Sequence, residues 1–275
     1  MSEVKAVEKF SVWKKMPIGG VWKYGSSNRE CVVTNPYNNE VLVTFNYASK
    51  ADINEAYETA QKAQKSWGQT SAYERIRVLE KVAQLIEEKR EEIVEILVKE
   101  SGSTKLKANV EVDCAIADVK EAAKYPLQME GSIRESLIPG KENRVYREPV
   151  GVVGAITPWN WPFYLTIRVV APAIATGNGV VLKPDFQTPI SGGLIVAKIF
   201  EEAGLPQGVL NVTVADLEEI GDYFVEHPIP EVISFTGSTK AGQHVGALAV
   251  KNLKKPALEL GGNNAFIVLD DADVD

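Results

Sequence analysis

Apolar and polar positions in the second half of the chain alternate between two kinds of segment. From about residue 151, five short apolar runs (GVVGAI, NGVVLK, GVLNVT, EVISFT and PALEL) are separated by segments of helical spacing that begin near residues 162, 189, 217 and 239. Continuously apolar strands separated by helices are typical of βαβ units, in which both faces of the sheet are covered. The pattern therefore predicts an α/β fold with a parallel sheet and helices on both faces.

The first half of the chain begins with short strands. Residues 20–46 contain the segments GGVWKYG and NPYNNEVLVTF, and the Asn-Asn-Glu turn of the second segment predicts a hairpin. We assign residues 1–142 to a hairpin and helices that pack on the sheet domain, and residues 151–275 to the sheet domain itself. The segment between them, NRVYREPVG, alternates and predicts an edge or linking strand.

Two long amphipathic helices are predicted to follow the first strands. One opens at Ser49, with Asp52 three residues later, and the other opens at Ser71, with Glu74 three residues later. Both pairs have the spacing of a capping box, in which two side chains satisfy free backbone N–H groups at the helix start. The second helix is predicted to run as far as the SGST segment, and a third helix covers about residues 108–125.

Composition and charge exclude several classes of protein. The 275-residue chain has a net charge of −7 and a pI of about 5.2, so neither nucleic acid nor a membrane is an expected partner. Cys31 and Cys114 lack CxxC spacing, and His227 and His244 lack metal-ligand spacing, so we expect no disulfide framework and no metal site. The N-terminal segment has no apolar signal-peptide core, which favours the cytoplasm.

Polar residues follow four of the predicted strands. The stretches are TPWNWP after the first strand, KPDFQTP after the second, FTGST after the fourth and ELGG after the fifth. In open α/β sheets ligands bind at the carboxyl ends of the strands, so these stretches predict the position of a site. Neither the GxGxxG fingerprint nor a P-loop motif occurs, so the usual phosphate-binding patterns do not account for them.

In this order and spacing, the four stretches resemble the aldehyde dehydrogenase superfamily. The resemblance extends from VTNPYNNEVL through FTGSTKAG to LELGGNNAFIVLDDADVD, which is nearly the whole chain. It implies a Rossmann-like sheet without a GxGxxG loop, NAD or NADP as the cofactor, and an aldehyde substrate that is oxidised to its carboxylic acid. Arg168 and the segment VVAPAIATGNGVVLKP look more like the benzaldehyde and vanillin dehydrogenase branch than the fatty-aldehyde branch.

The resemblance implies catalytic roles for two residues. Asn160, in PWNWP, matches the asparagine whose side-chain amide helps to form the oxyanion hole; its alternative role is to cap the helix that follows. Glu259, in LELGG, matches the general base, which we expect to be partly desolvated and to activate water. Its alternative role is that of a surface glutamate at a strand end.

A larger set of residues matches the cofactor site of the family. Lys183 matches the lysine that binds the adenosine ribose, with a lysine that snorkels into solvent as the alternative. Ser238, at a predicted helix start, matches a phosphate-binding position and can cap the helix at the same time. The full set is Ile156, Thr157, Trp159, Lys183, Phe186, Gly221, Thr236, Gly237, Ser238 and Leu260.

Phe186 departs from the pattern of strongly NAD-preferring members, which often have a glutamate three residues after the lysine. That glutamate binds the ribose hydroxyls and repels a 2′-phosphate. Without its charge, the sequence predicts that NADP is tolerated or even preferred. The alternative is that the large aromatic side chain crowds the ribose and weakens the binding of both cofactors. A second departure is Ala215, where the family often has a glycine, although Gly221 keeps its usual place.

The family reaction requires a cysteine nucleophile that follows the ELGG glutamate by a few dozen residues. Neither Cys31 nor Cys114 matches that position, so we expect the nucleophile and the catalytic domain to lie beyond Asp275. Two hypotheses follow. The full protein is an aldehyde dehydrogenase of which this chain is the N-terminal portion, or the chain is a non-catalytic dinucleotide-binding half-protein.

Residues 143–150 resemble part of the family's oligomerisation arm. The resemblance implies that the full-length protein is a homodimer or a homotetramer. It also implies that the arm, in this chain alone, has unpaired strand edges that favour association.

Overall fold

Two antiparallel hairpins begin the part of the chain, residues 10–273, that the computed structural model describes. A short 3-10 helix at Ser11–Lys14 precedes them. Their strands are β1 (Met16–Ile18), β2 (Val21–Lys23), β3 (Glu30–Thr34) and β4 (Val41–Asn46). The backbone N–H of Asn35 donates to the carbonyl of Glu40 at 2.8 Å and closes the turn between β3 and β4, which confirms the predicted hairpin.

Five helices follow the hairpins: α1 (Lys50–Trp67), α2 (Ala72–Glu88), α3 (Arg90–Ser101), α4 (Lys105–Ala122) and α5 (Tyr125–Gln128). Both predicted capping boxes are present, Ser49 with Asp52 at the start of α1 and Ser71 with Glu74 at the start of α2. The third predicted helix is α4. No helix in residues 10–273 is long and apolar enough to cross a lipid bilayer.

The second predicted helix is not continuous. It divides into α2 and α3 at Lys89, whose backbone (φ −97°, ψ 12°) leaves the helical region. Leu79 and Ile86 of α2 and Ile93 and Leu97 of α3 are all buried. The bend lets both segments turn an apolar face toward the core, and the periodic pattern of the sequence does not reveal this change of direction.

The next hairpin is largely exposed. Its strands are β5 (Ser132–Glu135) and β6 (Glu142–Val145), which pair antiparallel. The sequence predicts the second of these strands but not the first. The assigned boundary between residues 142 and 143 therefore falls inside β6.

The remaining strands form one parallel sheet. They are β7 (Val152–Ile156), β8 (Gly179–Lys183), β9 (Leu210–Val212), β10 (Val232–Thr236) and β11 (Lys255–Glu259), and their order in the sheet is β11–β10–β7–β8–β9. The intervening helices are α6 (Pro162–Ala175), a π-helical turn (Ile190–Leu194), α7 (Ile195–Glu202), α8 (Leu217–Ile220), α9 (Tyr223–Glu226) and α10 (Thr239–Lys251). The predicted α/β fold with a parallel sheet is confirmed, although the helix expected from residue 217 is two short ones.

Both faces of the central strands are covered. Strand β8 is buried along its whole length. On one face, α1 comes so close that a side chain at Gly154 of β7 would meet the hydroxyl of Tyr57. On the other face, the hydroxyl of Thr166 in α6 donates to the hydroxyl of Thr157, directly after β7, at 3.0 Å. We call these the α1 face and the α6 face of the sheet.

A buried carboxylate on α4 caps the start of α6. Glu111 is completely buried, and its Oε1 accepts hydrogen bonds from the backbone N–H groups of Phe163 (2.9 Å) and Tyr164 (3.2 Å). Its Oε2 accepts a hydrogen bond from the ammonium of Lys107 at 2.8 Å. Because the first N–H groups of a helix have no partner within the helix, this carboxylate supplies the missing acceptors and fixes α6 against α4.

Glu100, near the end of α3, has the same role at the π-helical turn after β8. Its carboxylate accepts hydrogen bonds from the backbone N–H groups of Ile190 (2.8 Å) and Ser191 (2.7 Å), and from the hydroxyl of Ser191. Burial raises the pKa of Glu100 to about 7, although these hydrogen bonds act in the opposite direction. Two helix starts beside the sheet therefore depend on carboxylates from the N-terminal helices.

We expect Glu111→Ala to lower the free energy of unfolding of the chain by about 2–4 kcal/mol. The substitution leaves two backbone N–H groups at the start of α6 without acceptors and removes a partner of Lys107. Urea denaturation followed by circular dichroism measures the loss. Glu121→Ala on the same helix is the control, because the Glu121 carboxylate is half exposed and pairs with Lys124 in solvent. Equal losses in the two variants would show that the buried cap does not hold α6.

Stability should also depend on pH through Glu100. Its pKa in the folded chain is about 7, above the ordinary value of 4.5, so the folded state holds the proton more tightly than the unfolded state. The stability that this group contributes is complete below its unfolded pKa and is lost as pH rises through its folded pKa. Glu100→Gln does not titrate, so the difference in unfolding free energy between wild type and variant should shrink between about pH 5 and pH 8. If the difference in unfolding free energy between wild type and Glu100→Gln instead grows over this range, the ionised carboxylate is a better acceptor here than the protonated one.

Candidate functional site

The predicted site residues end neighbouring strands at the carboxyl end of the sheet. Ile156 of β7 pairs with Lys183 of β8 on one side and with Phe235 of β10 on the other, and Thr236 of β10 pairs with Glu259 of β11. Since neighbouring strands lie about 4.8 Å apart, Lys183 and Glu259 are separated by roughly 14 Å along this end of the sheet. The parallel register therefore gathers residues that are far apart in the sequence.

Strand alternation divides this set between the two faces of the sheet. Ile156 and Lys183 lie on the α1 face, whereas Thr236 and Glu259 lie on the α6 face. The ion pair between Nη2 of Arg168 in α6 and Oε1 of Glu259, at 3.5 Å, agrees with this assignment. The lysine expected to bind the cofactor and the glutamate expected to act as a base are thus on opposite faces.

Lys183 is buried without a partner. Only 7% of the residue is exposed, and within residues 10–273 its amine makes no hydrogen bond or ion pair. Burial lowers the pKa of Lys183, while the charges of Asp185 and Asp216 oppose that shift. The side chain is largely buried and the donors of its amine are unused among the described residues, so a ligand with hydroxyl or phosphate oxygens would gain hydrogen bonds here.

Ser238 caps α10 at the end of β10. Its hydroxyl oxygen accepts a hydrogen bond from the backbone N–H of Ala241 at 3.3 Å, as the capping alternative predicts. The start of this 13-residue helix is exposed, and its free N–H groups and dipole favour an anion. The backbone N–H of Gly237 donates to the carbonyl of Glu259 at 3.0 Å, which fixes the turn next to β11.

The other predicted cofactor residues differ in exposure. Trp159 and Phe186 are each about half exposed, at 55% and 48%, and Leu260 is 39% exposed. Thr157 is buried instead, and its hydroxyl accepts the hydrogen bond from Thr166. The three exposed side chains are available to a ligand, whereas the Thr157 hydroxyl is already bonded to α6.

Gly221, in the turn between α8 and α9, has a conformation that only glycine adopts readily. Its φ is 54° and its ψ is −131°, and a side chain there would meet no atom within 4 Å. Ala215, where the resemblance leads one to expect glycine, is buried. The backbone at Gly221 is therefore open to a close approach from outside the chain.

Asn160 lies between β7 and α6, and its side chain is unpaired among the described residues. The N-cap of α6 is Trp161, so the alternative that Asn160 caps this helix is wrong; Glu111 supplies the acceptors instead. The backbone carbonyl of Asn160 accepts a hydrogen bond from the ammonium of Lys107 at 2.8 Å, which fixes this segment and leaves the side-chain amide free to donate. The sequence gives no clear signal for Lys107, because its i,i+4 spacing to Glu111 is typical of an exposed ion pair.

Glu259 ends an edge strand and is exposed. Its side chain is 62% exposed and pairs with Arg168 in solvent. The expected partial desolvation is therefore wrong for the described residues, because β11 lies at the edge of the sheet and has a neighbouring strand only at β10. The carboxylate is accessible to water, as a group that activates water must be.

Neither cysteine is bonded to the other, and Cys31 is buried. Burial raises the pKa of the Cys31 thiol to about 12, so this residue stays protonated at neutral pH. Its thiol lies 3.5 Å from the carbonyl oxygen of Phe186, which indicates a packing role beneath the turn after β8. Cys114 is half-buried on α4.

Comparison with known proteins identifies the family. Residues 22–275 match the Aldehyde dehydrogenase family. Two similar relatives are a benzaldehyde dehydrogenase of Bacillus subtilis (53% identity, covering 95% of this chain and 54% of the relative) and a vanillin dehydrogenase of Corynebacterium glutamicum (53% identity, covering 94% and 54%). The crystal structure of an NAD-dependent benzaldehyde dehydrogenase from Corynebacterium glutamicum superposes with a TM-score of 0.90 at 53% identity, covering 95% of this chain and 57% of that one. The chain spans about half the length of these relatives. It belongs to the aldehyde dehydrogenase family.

Proposed function

We propose that this chain forms the cofactor-binding part of an NAD(P)-dependent enzyme that oxidises an aromatic aldehyde to its carboxylic acid. One observation carries the proposal: at the carboxyl end of the sheet in a chain of this family, the side chain of Lys183 is buried and its amine has no partner within residues 10–273. The names of the relatives, benzaldehyde and vanillin dehydrogenase, support an aromatic substrate. The NAD dependence of the matched Corynebacterium enzyme supports a nicotinamide cofactor.

The residues present fit a dinucleotide. Lys183 would donate hydrogen bonds to ribose hydroxyls, and the N–H groups at the start of α10, beside Ser238, would bind phosphate. The open backbone at Gly221 would allow a close approach on the same side of the sheet. When bound, the cofactor supplies the chemistry of accepting a hydride from the substrate carbon.

Asn160 and Glu259 would act on the substrate. A cysteine thiolate from outside this chain attacks the aldehyde carbon, and the amide of Asn160 donates a hydrogen bond to the oxygen that gains negative charge. When the bound nicotinamide accepts the hydride of that carbon, a thioester would remain on the cysteine. Glu259 would then take a proton from water while the water oxygen attacks the thioester carbon, so that the C–S bond breaks, the carboxylic acid forms and the cysteine leaves as a thiolate, with the proton on Glu259.

The alternative is a dinucleotide-binding half-protein without catalysis. It shares the cofactor site with the first hypothesis and differs only in whether a catalytic half is joined to this chain. Burial keeps the Cys31 thiol protonated at neutral pH, so this cysteine is a poor nucleophile, which agrees with the alternative.

The exposed hairpin β5–β6 supports assembly of the full-length protein as a homodimer or homotetramer. Ile133, Leu137, Ile138 and Tyr146 in and beside this hairpin are each more than half exposed. Apolar side chains beside unpaired strand edges favour pairing with another chain. The two unpaired cysteines support the cytoplasm as the compartment.

We expect Lys183→Met to weaken NAD+ binding by the chain about tenfold or more, because a charged donor is lost. The variant should be at least as stable as wild type, since the ammonium that it removes is buried and has no partner in residues 10–273. Isothermal titration calorimetry gives the affinity and thermal melting gives the stability. Lys120→Met, at an exposed position on α4, is the control. Unchanged affinity in Lys183→Met, or a large loss of stability, would contradict the assigned role.

The purified chain should bind NAD+ but form no reduced cofactor from benzaldehyde. Joined to the catalytic half of the Corynebacterium relative, it should turn over, and Asn160→Ala in that fusion should lower kcat by about 100- to 1000-fold because one donor to the oxyanion is lost. Absorbance of the reduced nicotinamide follows the reaction. Asn38→Ala, in the exposed turn between β3 and β4, is the matched control. Turnover by the chain alone would refute the absence of a nucleophile, and an unaffected Asn160→Ala fusion would refute the oxyanion role.

A further inference from the structure

Two turns at the carboxyl end of the sheet are held against the same short segment of chain. The turn after β8 carries Phe186, whose carbonyl oxygen lies 3.5 Å from the thiol of Cys31. The turn after β9 carries Asp216, whose Oδ2 lies 2.8 Å from Nη2 of Arg29. Cys31 and Arg29 are two residues apart at the start of β3, so the two turns lie close to each other and to the end of β8, where Lys183 stands.

The carboxylate of Asp216 is held in a defined orientation. Its Oδ1 accepts a hydrogen bond from the backbone N–H of Glu218 at 2.9 Å, and its side chain is only 17% exposed. On the neighbouring turn, Oδ1 of Asp185 accepts from the backbone N–H of Gln187 at 2.9 Å. Both carboxylates act electrostatically on the buried amine of Lys183.

The charged groups around Lys183 and Arg29, taken together, sum to a negative value. Arg29 is already engaged by Asp216 and by Glu218, at 2.8 and 2.7 Å. Glu219, beside them, accepts a hydrogen bond from the hydroxyl of Ser27 at 2.5 Å. The carboxylates of residues 185 and 216 act on Lys183, and those of residues 216, 218 and 219 act on Arg29, so four carboxylates surround two cations. Ribose hydroxyls are neutral and suit an amine in such surroundings, whereas a phosphate monoester brings about 1.5–2 further negative charges.

We propose that Asp216, assisted by Asp185, makes this site select NAD over NADP. The inference rests on the proposed cofactor function of Lys183. Phe186 lacks the carboxylate that repels a 2′-phosphate in NAD-preferring members, and the fixed carboxylate of Asp216 supplies that repulsion from the turn after the neighbouring strand β9. An attractive donor and a repulsive carboxylate together give discrimination between two ligands that differ by one phosphate.

The test compares the dissociation constants of NAD+ and NADP+ for the chain by isothermal titration calorimetry. Wild type should bind NAD+ about tenfold tighter or more. In Asp216→Asn, the ratio of the NADP+ to the NAD+ dissociation constant should fall by about threefold or more, because NADP+ binds more tightly. Asparagine caps a helix as well as aspartate does, so α8 should keep its start and the variant its fold.

Glu226→Gln is the control, because it removes an exposed carboxylate at the far end of α9 and should leave the ratio unchanged. Equal or tighter binding of NADP+ by wild type, or the same ratio in Asp216→Asn as in wild type, would overturn the inference while leaving the cofactor site in place. If neither dinucleotide binds to a chain that is folded by circular dichroism, the proposed cofactor function fails and the inference fails with it.

Discussion

Two buried carboxylates set the geometry on which the rest of the structure depends. Glu111 and Glu100 belong to the N-terminal helices, yet each accepts backbone N–H groups at the start of a helix that follows a sheet strand. A carboxylate in that position satisfies donors that water cannot reach, and it pins the helix start to a different layer of the molecule. The candidate site lies beside these helix starts, so its geometry is set by residues that never face a ligand.

Much of the fold follows from local pattern. Continuously apolar strands predict the parallel sheet, and the pairs Ser49–Asp52 and Ser71–Glu74 predict the helix starts, because a capping box is complete within four residues. The bend at Lys89 is different. It depends on the directions from which α2 and α3 meet the core, and no periodicity within one segment contains that information.

Some residues of the candidate site can likewise be predicted from the local sequence, whereas others depend on tertiary contacts. Lys183 can be predicted because it ends a buried strand, where ligands gather. The capping role considered for Asn160 is wrong because the acceptor for α6 comes from Glu111, which lies far away in the sequence. The sequence does not reveal the role of Asp216 for a similar reason. Asp216 comes near Lys183 only because β8 and β9 pair in the folded chain. Contacts across layers are set by tertiary structure, and a single sequence records them weakly.

The division of the strand ends between two faces limits how this part of the chain can change its length. Side chains alternate along a strand, so one inserted or deleted residue within β8 would carry Lys183 from the α1 face to the α6 face. The same change within β11 would turn Glu259 toward α10 and away from Arg168. A substitution inside one of these strands changes the packing of one side chain, whereas an insertion or deletion moves every following side chain of the strand to the opposite face. Natural variation in length should therefore be confined to segments outside the strands.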